Sequence, residues 1–547
     1  MKKQKFSLFK SVKALFVFLF LLLMSVGLSG VIALKIQTPY RVSIYNYESY
    51  LSKPIINMLN KRYSYRVFGE INEFTRAIHQ GKTVGGVGSD FQIANLTLKG
   101  KLKKINYDIL FDDLPDKNNI ESRKKIIESK FTPVVNEHIE KYQKWIIEQI
   151  KKINPENVVN NETTNFKPYL YYKSNKPKTD ENIIGFEVDN IEGIDLFYEF
   201  LVPYFIQDKV VAFNVNKNYR KHINLFDLEK LKNDNWTNIY KTLKENGYKH
   251  FGWTNSFYDN LMLGQFYDIE NKNGQFTKNG LEEINNSNID SILNNMNQLI
   301  KECTGGTFTD SSINKLATNG FELVNDLIDP KPNKLDVALM YNGDVLDAFN
   351  SHDNFTQLKD GENIDYIKPK NNMLLIDAWI ISKEVNDEDS NSLLHDLRDT
   401  VFDSINLSYE QLVTKYYENV LKLIKEKDKN IDSNQLKKQL FNEDHSIKSI
   451  NEINDDFYSK NYNEFKTFDF LWTIQNFDIL NYTTTFNGIY KFLNDYYFLN
   501  QNKSVNKKAM NIFQINKNKQ INYQIYKPIN DKTRTQIIEK YFESTHS

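Results

Sequence analysis

The sequence predicts an α/β fold of two or three domains, preceded by one N-terminal transmembrane helix. Three observations carry that reading. An uncharged apolar run, Ala14 to Leu34, follows a cluster of lysines. Strand-like and helix-like segments alternate in short order from Arg41 to Gln80. Three strand-length apolar runs, each bounded by Gly, Pro or Asn, lie between Asp336 and Ser382. A length of 547 residues leaves room for more than one domain.

Composition narrows the function. Lys+Arg and Asp+Glu number 70 each, so the chain has no net basic field suited to nucleic acid, and no nucleic-acid partner is expected. Cys303 is the one cysteine, which rules out an intrachain disulfide and a multi-cysteine metal site. The eight His show no HExxH spacing, and no GxxxxGK[ST], GxSxG or GxGxxG run is present. Neither a metal, a cofactor nor enzymatic activity is therefore expected. Gly85-Gly-Val-Gly88 reads as a turn.

The first element is the membrane segment. Lys2, Lys3, Lys5, Lys10 and Lys13 precede the run from Ala14 to Leu34, which has the roughly 20 residues needed to span a bilayer. The positive-inside rule puts the N-terminus in the cytoplasm and everything after Lys35 outside. The run is either an uncleaved signal anchor or a secretory signal peptide cut near Ala33. Its length favours the anchor, hence a single-pass protein of the cell membrane with its bulk outside.

Beyond it, Arg41 to Tyr47 and Tyr63 to Phe68 alternate as strands, with helices over Ile55–Asn60 and Glu70–Gln80. Residues 116–195 are expected to form a surface insertion, with one or two amphipathic helices over Ile120–Ile153 and loop from Asn154 to Asn182. Leu201 to Asn214 reads as a long strand. Helices follow over Asp227–Asn233 and Trp236–Glu245, then a strand over Tyr248–Trp253 that runs into a helix. Leu281–Lys301 and Ile313–Leu327 are helix-patterned. Residues 384–469 read as a second surface insertion, with charged helices over Ser408–Lys427 and Ser433–Phe441. Lys532–Phe542 suits a packed terminal helix.

The third apolar run of the 336–382 stretch contains an anomaly. Asp377 stands in Met373-Leu-Leu-Ile-Asp-Ala-Trp-Ile-Ile381 with four apolar residues on each side. A carboxylate on a buried strand costs several kcal/mol unless a cation or hydrogen-bond donors meet it. Its partner is either a Lys or Arg of this chain or a cation from solution, and the local pattern does not choose between them.

The order of motifs resembles the spermidine/putrescine-binding proteins of polyamine ABC transporters. A strand ending in Tyr341-Asn342-Gly343, an extended Ile364–Pro369 strand and the strand with Asp377 follow one another as they do in that family. Upstream, Tyr45-Asn-Tyr-Glu-Ser-Tyr50 is similar to the family's Tyr-Asn-aromatic-x-x-Tyr, and Pro203-Tyr204 opens a run similar to its crossing strand. The resemblance covers most of residues 40–110, 200–382 and 475–545.

It implies a two-lobed periplasmic-binding-protein-like fold of type II. Lobe one would comprise 36–207 plus 377–490, and lobe two 208–376 plus 491–547. It implies a polyamine-binding slot formed by Tyr47, Tyr50, Ser89, Phe91, Asp259, Tyr341, Asp377 and Tyr482. Asp377 would grip one ligand amine. Asp259 would be the second of two acids, with Ser256 at the place of the first; a register shifted by one residue would instead put Tyr258 there. Leu375 stands where the family has a Trp, and Trp379 could compensate. Ser311 and Ile529 or Asn530 match further, weaker positions. The implied partners are a polyamine ligand, ABC permease subunits and, through them, the cytoplasmic ATPase. Two other readings remain: a receptor for a different small solute on the same scaffold, and a surface-exposed interaction protein.

Overall fold

Two long antiparallel strands organise the molecule. In the computed structural model, which describes residues 24–25, 41–69, 71–116, 119–154, 168–188, 193–516 and 520–546, the strands in chain order are these. β1 (Ser43–Tyr47), β2 (Ser64–Phe68), β3 (Thr83–Ser89) and β4 (Leu102–Lys103) come first. β5 (Tyr169–Tyr172), β6 (Ile183–Glu187), β7 (Val202–Asn214), β8 (Phe251–Thr254) and β9 (Asn314–Ala317) follow. β10 (Val337–Tyr341), β11 (Ile364–Ile367), β12 (Asn371–Ser382), β13 (Thr483–Thr484) and β14 (Asn522–Gln524) complete the set.

The main sheet runs β2-β1-β3-β12-β7-β10-β8-β9. β1, β2 and β3 are parallel to one another, and so are β10, β8 and β9. β12 and β7 join these two parallel wings by antiparallel pairing, with β3 on one side and β10 on the other. Parallel strands need crossover helices, and the helices Lys53–Leu59 and Ile71–His79 supply them in the first wing. The helix Lys53–Leu59 starts with Pro54 in its first turn, where a missing N–H costs nothing, and buries Ile55 and Leu59.

Two hydrophobic cores form, the first reaching under both wings. Ile44, Val87, Phe205, Trp379 and Phe402 belong to the first; Trp253, Met262, Leu299 and Tyr541 belong to the second. β7 passes between them and every one of its residues is buried. A strand covered on both faces reads as continuous apolar sequence, so Gln207, Asp208 and Lys209 in its middle must each find a polar partner.

Several expectations are corrected. Gly85-Gly-Val-Gly88 is not a turn but the middle of β3, buried throughout. A Cβ at Gly85 would lie 2.1 Å from the Ile380 carbonyl oxygen, and one at Gly86 2.1 Å from that of Tyr45. The glycines therefore serve close approach of strands. The helices Ile120–Lys130 and Pro133–Ile153 form as expected, but the longer one is no surface insertion. It buries Val135, Tyr142, Trp145 and Ile146 in the first core, and His138 against Asp90.

The second insertion is also built in: the helix Tyr409–Lys427 buries Leu412, Val413, Tyr416, Tyr417 and Val420. Residues 154–182 include β5, which pairs with β6 in a hairpin. Asn314–Ala317 is a strand, with the helix starting only at Gly320. Ile512, Phe513 and Ile515 pack in the first core, as do Leu323, Val324 and Leu346. Of the expected membrane segment, only Met24 and Ser25 fall within the described residues. No helix among the described residues is long and apolar enough to cross a membrane.

Candidate functional site

Asp377 lies where the wings meet, paired across β12 with Ser89 of β3 and Phe205 of β7. In the β7 pairing the register shifts beside it, from Asp377–Phe205 to Ala378–Pro203, so the extra residue is Tyr204 of β7, while the pairing of β12 with β3 runs on unbroken. The carboxyl group is 3% exposed. The Ser89 hydroxyl donates to Oδ1 at 2.6 Å, and the Tyr50 hydroxyl and Gln207 amide donate to Oδ2 at 2.5 and 2.7 Å. The Tyr47 hydroxyl meets Ser89 Oγ at 2.7 Å.

All these partners are neutral. Among the described residues no lysine or arginine pairs with Asp377. Burial pushes the carboxyl up to about 7, against the opposing pull of Ser89, Tyr50 and Gln207. The neighbouring backbone is pinned by Asp90, whose Oδ2 accepts the Ile376 N–H at 2.7 Å and contacts His138 Nε2 at 2.6 Å.

Asp259 is a different case. It stands in the first turn of the helix Phe257–Asn271, where an acid suits the helix dipole, and is 4% exposed. Lys209 Nζ lies 2.7 Å from its Oδ2, with the Lys209 side chain wholly buried. Thr254 donates to Oδ2 at 2.8 Å; Tyr526 and Tyr341 donate to Oδ1 at 2.8 and 3.2 Å. Burial alone would raise this carboxyl, but Lys209 and the hydroxyls outweigh it and hold it below the usual range. The Lys209 ammonium also sits 3.5 Å from the centre of the Tyr341 ring.

Aromatic rings fill the space around both acids. Tyr482 packs against Tyr50 at 4.9 Å and Phe205 at 5.6 Å between centroids, and donates to Asp344 Oδ1 at 2.9 Å. It can do so because residue 343 is Gly: a Cβ there would fall 2.2 Å from Tyr482 Cδ1. Phe91 packs on Tyr258 at 4.4 Å and Tyr526 at 5.9 Å.

The eight residues singled out from sequence thus gather in two linked groups. Tyr47, Tyr50, Ser89, Asp377 and Tyr482 form one; Asp259 and Tyr341 form the other, with Phe91 joined to it through Tyr526. Ser256 only caps its helix, accepting the Asp259 N–H at 3.4 Å. Trp379 does not compensate for Leu375: its ring lies 6.4 Å from Tyr204 in the first core and it is 1% exposed. Ser311 is exposed in the turn before β9. Ile529 contributes a backbone N–H to the Tyr258 hydroxyl at 3.3 Å.

Gln207, Lys209 and Tyr526 had not been singled out. The signal for the first two was present: two polar residues at i and i+2 within an apolar strand, hence on one face. Tyr526 carried no local signal.

Elsewhere, His222 and His250 gather round Asp336 with candidate ligand atoms within 4.8 Å of one another. That carboxylate already accepts the His222 ring at 2.9 Å and the Lys249 and His250 backbone N–H groups, with Arg220 at 3.4 Å from its other oxygen. The cluster suits a structural anchor, not a metal centre.

Chemically, the first group offers a buried negative charge lacking a counterion and ringed by aromatic faces, a setting suited to an organic cation. No protein family model matches this chain, and no curated protein does. Solved structures do. A Listeria monocytogenes protein described as a spermidine/putrescine ABC transporter is 11% identical, with a TM-score of 0.46 over 92% of this chain and 98% of that one. The spermidine/putrescine ABC transporter substrate-binding protein of Streptococcus pneumoniae, solved with calcium and HEPES, is 12% identical, with a TM-score of 0.42 over the same shares. A binding protein of A. tumefaciens in complex with glucopine is 11% identical, with a TM-score of 0.33 over 65% of this chain and 78% of that one. These identities and scores transfer no ligand to this chain.

Proposed function

We propose that this protein is the solute-binding component of an ABC transporter, taking up organic amines of the spermidine/putrescine class. One observation supports the reading above the rest: Asp377 is buried, ringed by Tyr47, Tyr50 and Tyr482, and met by neutral donors only. A buried carboxylate without a countercharge is costly to hold. A ligand ammonium entering there supplies the missing charge, and its methylenes lie across the rings. Each cation–π contact contributes about 0.5 to 2 kcal/mol, and micromolar affinity requires only about 8 kcal/mol.

In this reading the wings close on the ligand across β7 and β12 and present a liganded surface to permease subunits, which couple to the cytoplasmic ATPase. The N-terminal run anchors the chain to the cell membrane with the binding wings outside. Titration calorimetry of the full chain in detergent with spermidine and putrescine tests it. Binding is expected, and Asp377→Asn weakens it by about tenfold or more, because a charge-paired contact is lost. Absence of heat with either amine, or equal binding by Asp377→Asn, would refute the proposal.

A further inference from the structure

The Asp259 group raises a question that the Asp377 group does not. It has the parts of an ammonium site: a buried carboxylate, tyrosine hydroxyls on it and a tyrosine face beside it. The ammonium is already supplied, by Lys209 of β7. Its Nζ lies 2.7 Å from Asp259 Oδ2 and 3.5 Å from the Tyr341 ring centre, and the side chain is 0% exposed.

The carboxylate has about four acceptor directions; Thr254, Tyr526 and Tyr341 donate to it, and the Lys209 ammonium stands against Oδ2 as an ion pair. β7 alternation puts Gln207 and Lys209 on one face, so adjacent same-face residues serve the two acids. One brings a neutral amide to Asp377, the other a charge to Asp259.

We propose that Lys209 is the protein's own occupant of a second ammonium position, so that the site anchors one ammonium of its ligand, at Asp377, and gains nothing from a second one at Asp259. The inference rests on the amine-binding reading above. A ligand's first ammonium pairs with Asp377. A second one, directed toward Asp259, meets a saturated carboxylate and a like charge in a dry setting, where repulsion is weakly screened. An uncharged tail escapes that repulsion and can lie across the tyrosine and phenylalanine rings.

The test compares n-butylamine with putrescine, which has the same carbon chain and one more ammonium, by calorimetry on the full chain in detergent. The wild type is expected to bind butylamine at least as tightly as putrescine. In Lys209→Met the ratio is expected to shift toward putrescine by about tenfold or more, as Asp259 becomes free to take the second ammonium. Adding Asp259→Asn to that variant is expected to abolish the shift.

Wild-type protein that binds putrescine about tenfold more tightly than butylamine overturns the inference. So does a folded Lys209→Met with an unchanged ratio. If either occurs while Asp377→Asn still weakens binding, the amine-binding reading survives and only this inference falls. Absence of binding to any amine overturns both. Should Lys209→Met fail to fold, the wild-type ratio alone decides.

Discussion

Asp377 and Asp259 are both carboxylates, both at least nine-tenths buried and both surrounded by tyrosines, yet the protein treats them in opposite ways. Asp259 is held ionised by a lysine from within the chain, and its charge belongs to the fold. Asp377 is met by two hydroxyls and an amide, and burial lifts it to about 7, so its charge is optional. The difference teaches that burial of an acid is not by itself a functional sign. What distinguishes a binding acid from a structural one is where its counterion comes from.

The largest effect that sharpens this contrast is on stability. Asp259→Asn leaves the Lys209 ammonium buried without its partner, which is expected to cost about 3 to 5 kcal/mol in chemical denaturation at pH 7. Asp377→Asn strands no charge and is expected to cost far less, or to stabilise. Similar losses in the two variants would break the comparison.

A smaller effect concerns pH. Asp377 is raised above its unfolded value of about 3.9. The stability contributed by its protonated form is therefore fully present below that value and is lost as pH climbs through about 7. Between pH 5 and 8 the unliganded wild type is expected to lose roughly 2 to 3 kcal/mol more than Asp377→Asn does. Parallel pH profiles for the two proteins would show that the acid already has a counterion.

The legibility of the molecule followed the range of the forces involved. β1, β7, β10, β11 and β12 were readable because alternation and apolar runs are local. Asp377 was readable for the same reason, as one charge in a greasy strand. Features set by distant contacts were not. The glycines of β3 look like punctuation, and only the carbonyls of Ile380 and Tyr45 on neighbouring strands explain them. The lysines and glutamates of the helix Pro133–Ile153 suggested a solvated surface, while its opposite stripe, with His138 and Tyr142, packs beneath Asp90. Trp379 was assigned to the site by alternation, but its ring packs into the first core beside Tyr204.

Lys209 is the instructive miss. The sequence offered two partners for a buried acid, a chain cation or a ligand cation, and weighed them for Asp377 alone. The fold supplies a chain cation at Asp259 and none at Asp377, where the proposed ligand would bring its own, and the polar pair Gln207 and Lys209 in an apolar strand was the signal to read.

The most direct test of the central claim, that the counterion of Asp377 arrives with the ligand, is proton release on amine binding. Calorimetric titrations near pH 7 in two buffers of different ionisation enthalpy measure it. If an incoming ammonium ionises a carboxyl poised at about 7, binding releases about half a proton per site at pH 7, more below it, and none through this route in Asp377→Asn. Binding with no proton release at pH 7, or with the same release in Asp377→Asn, would contradict the account.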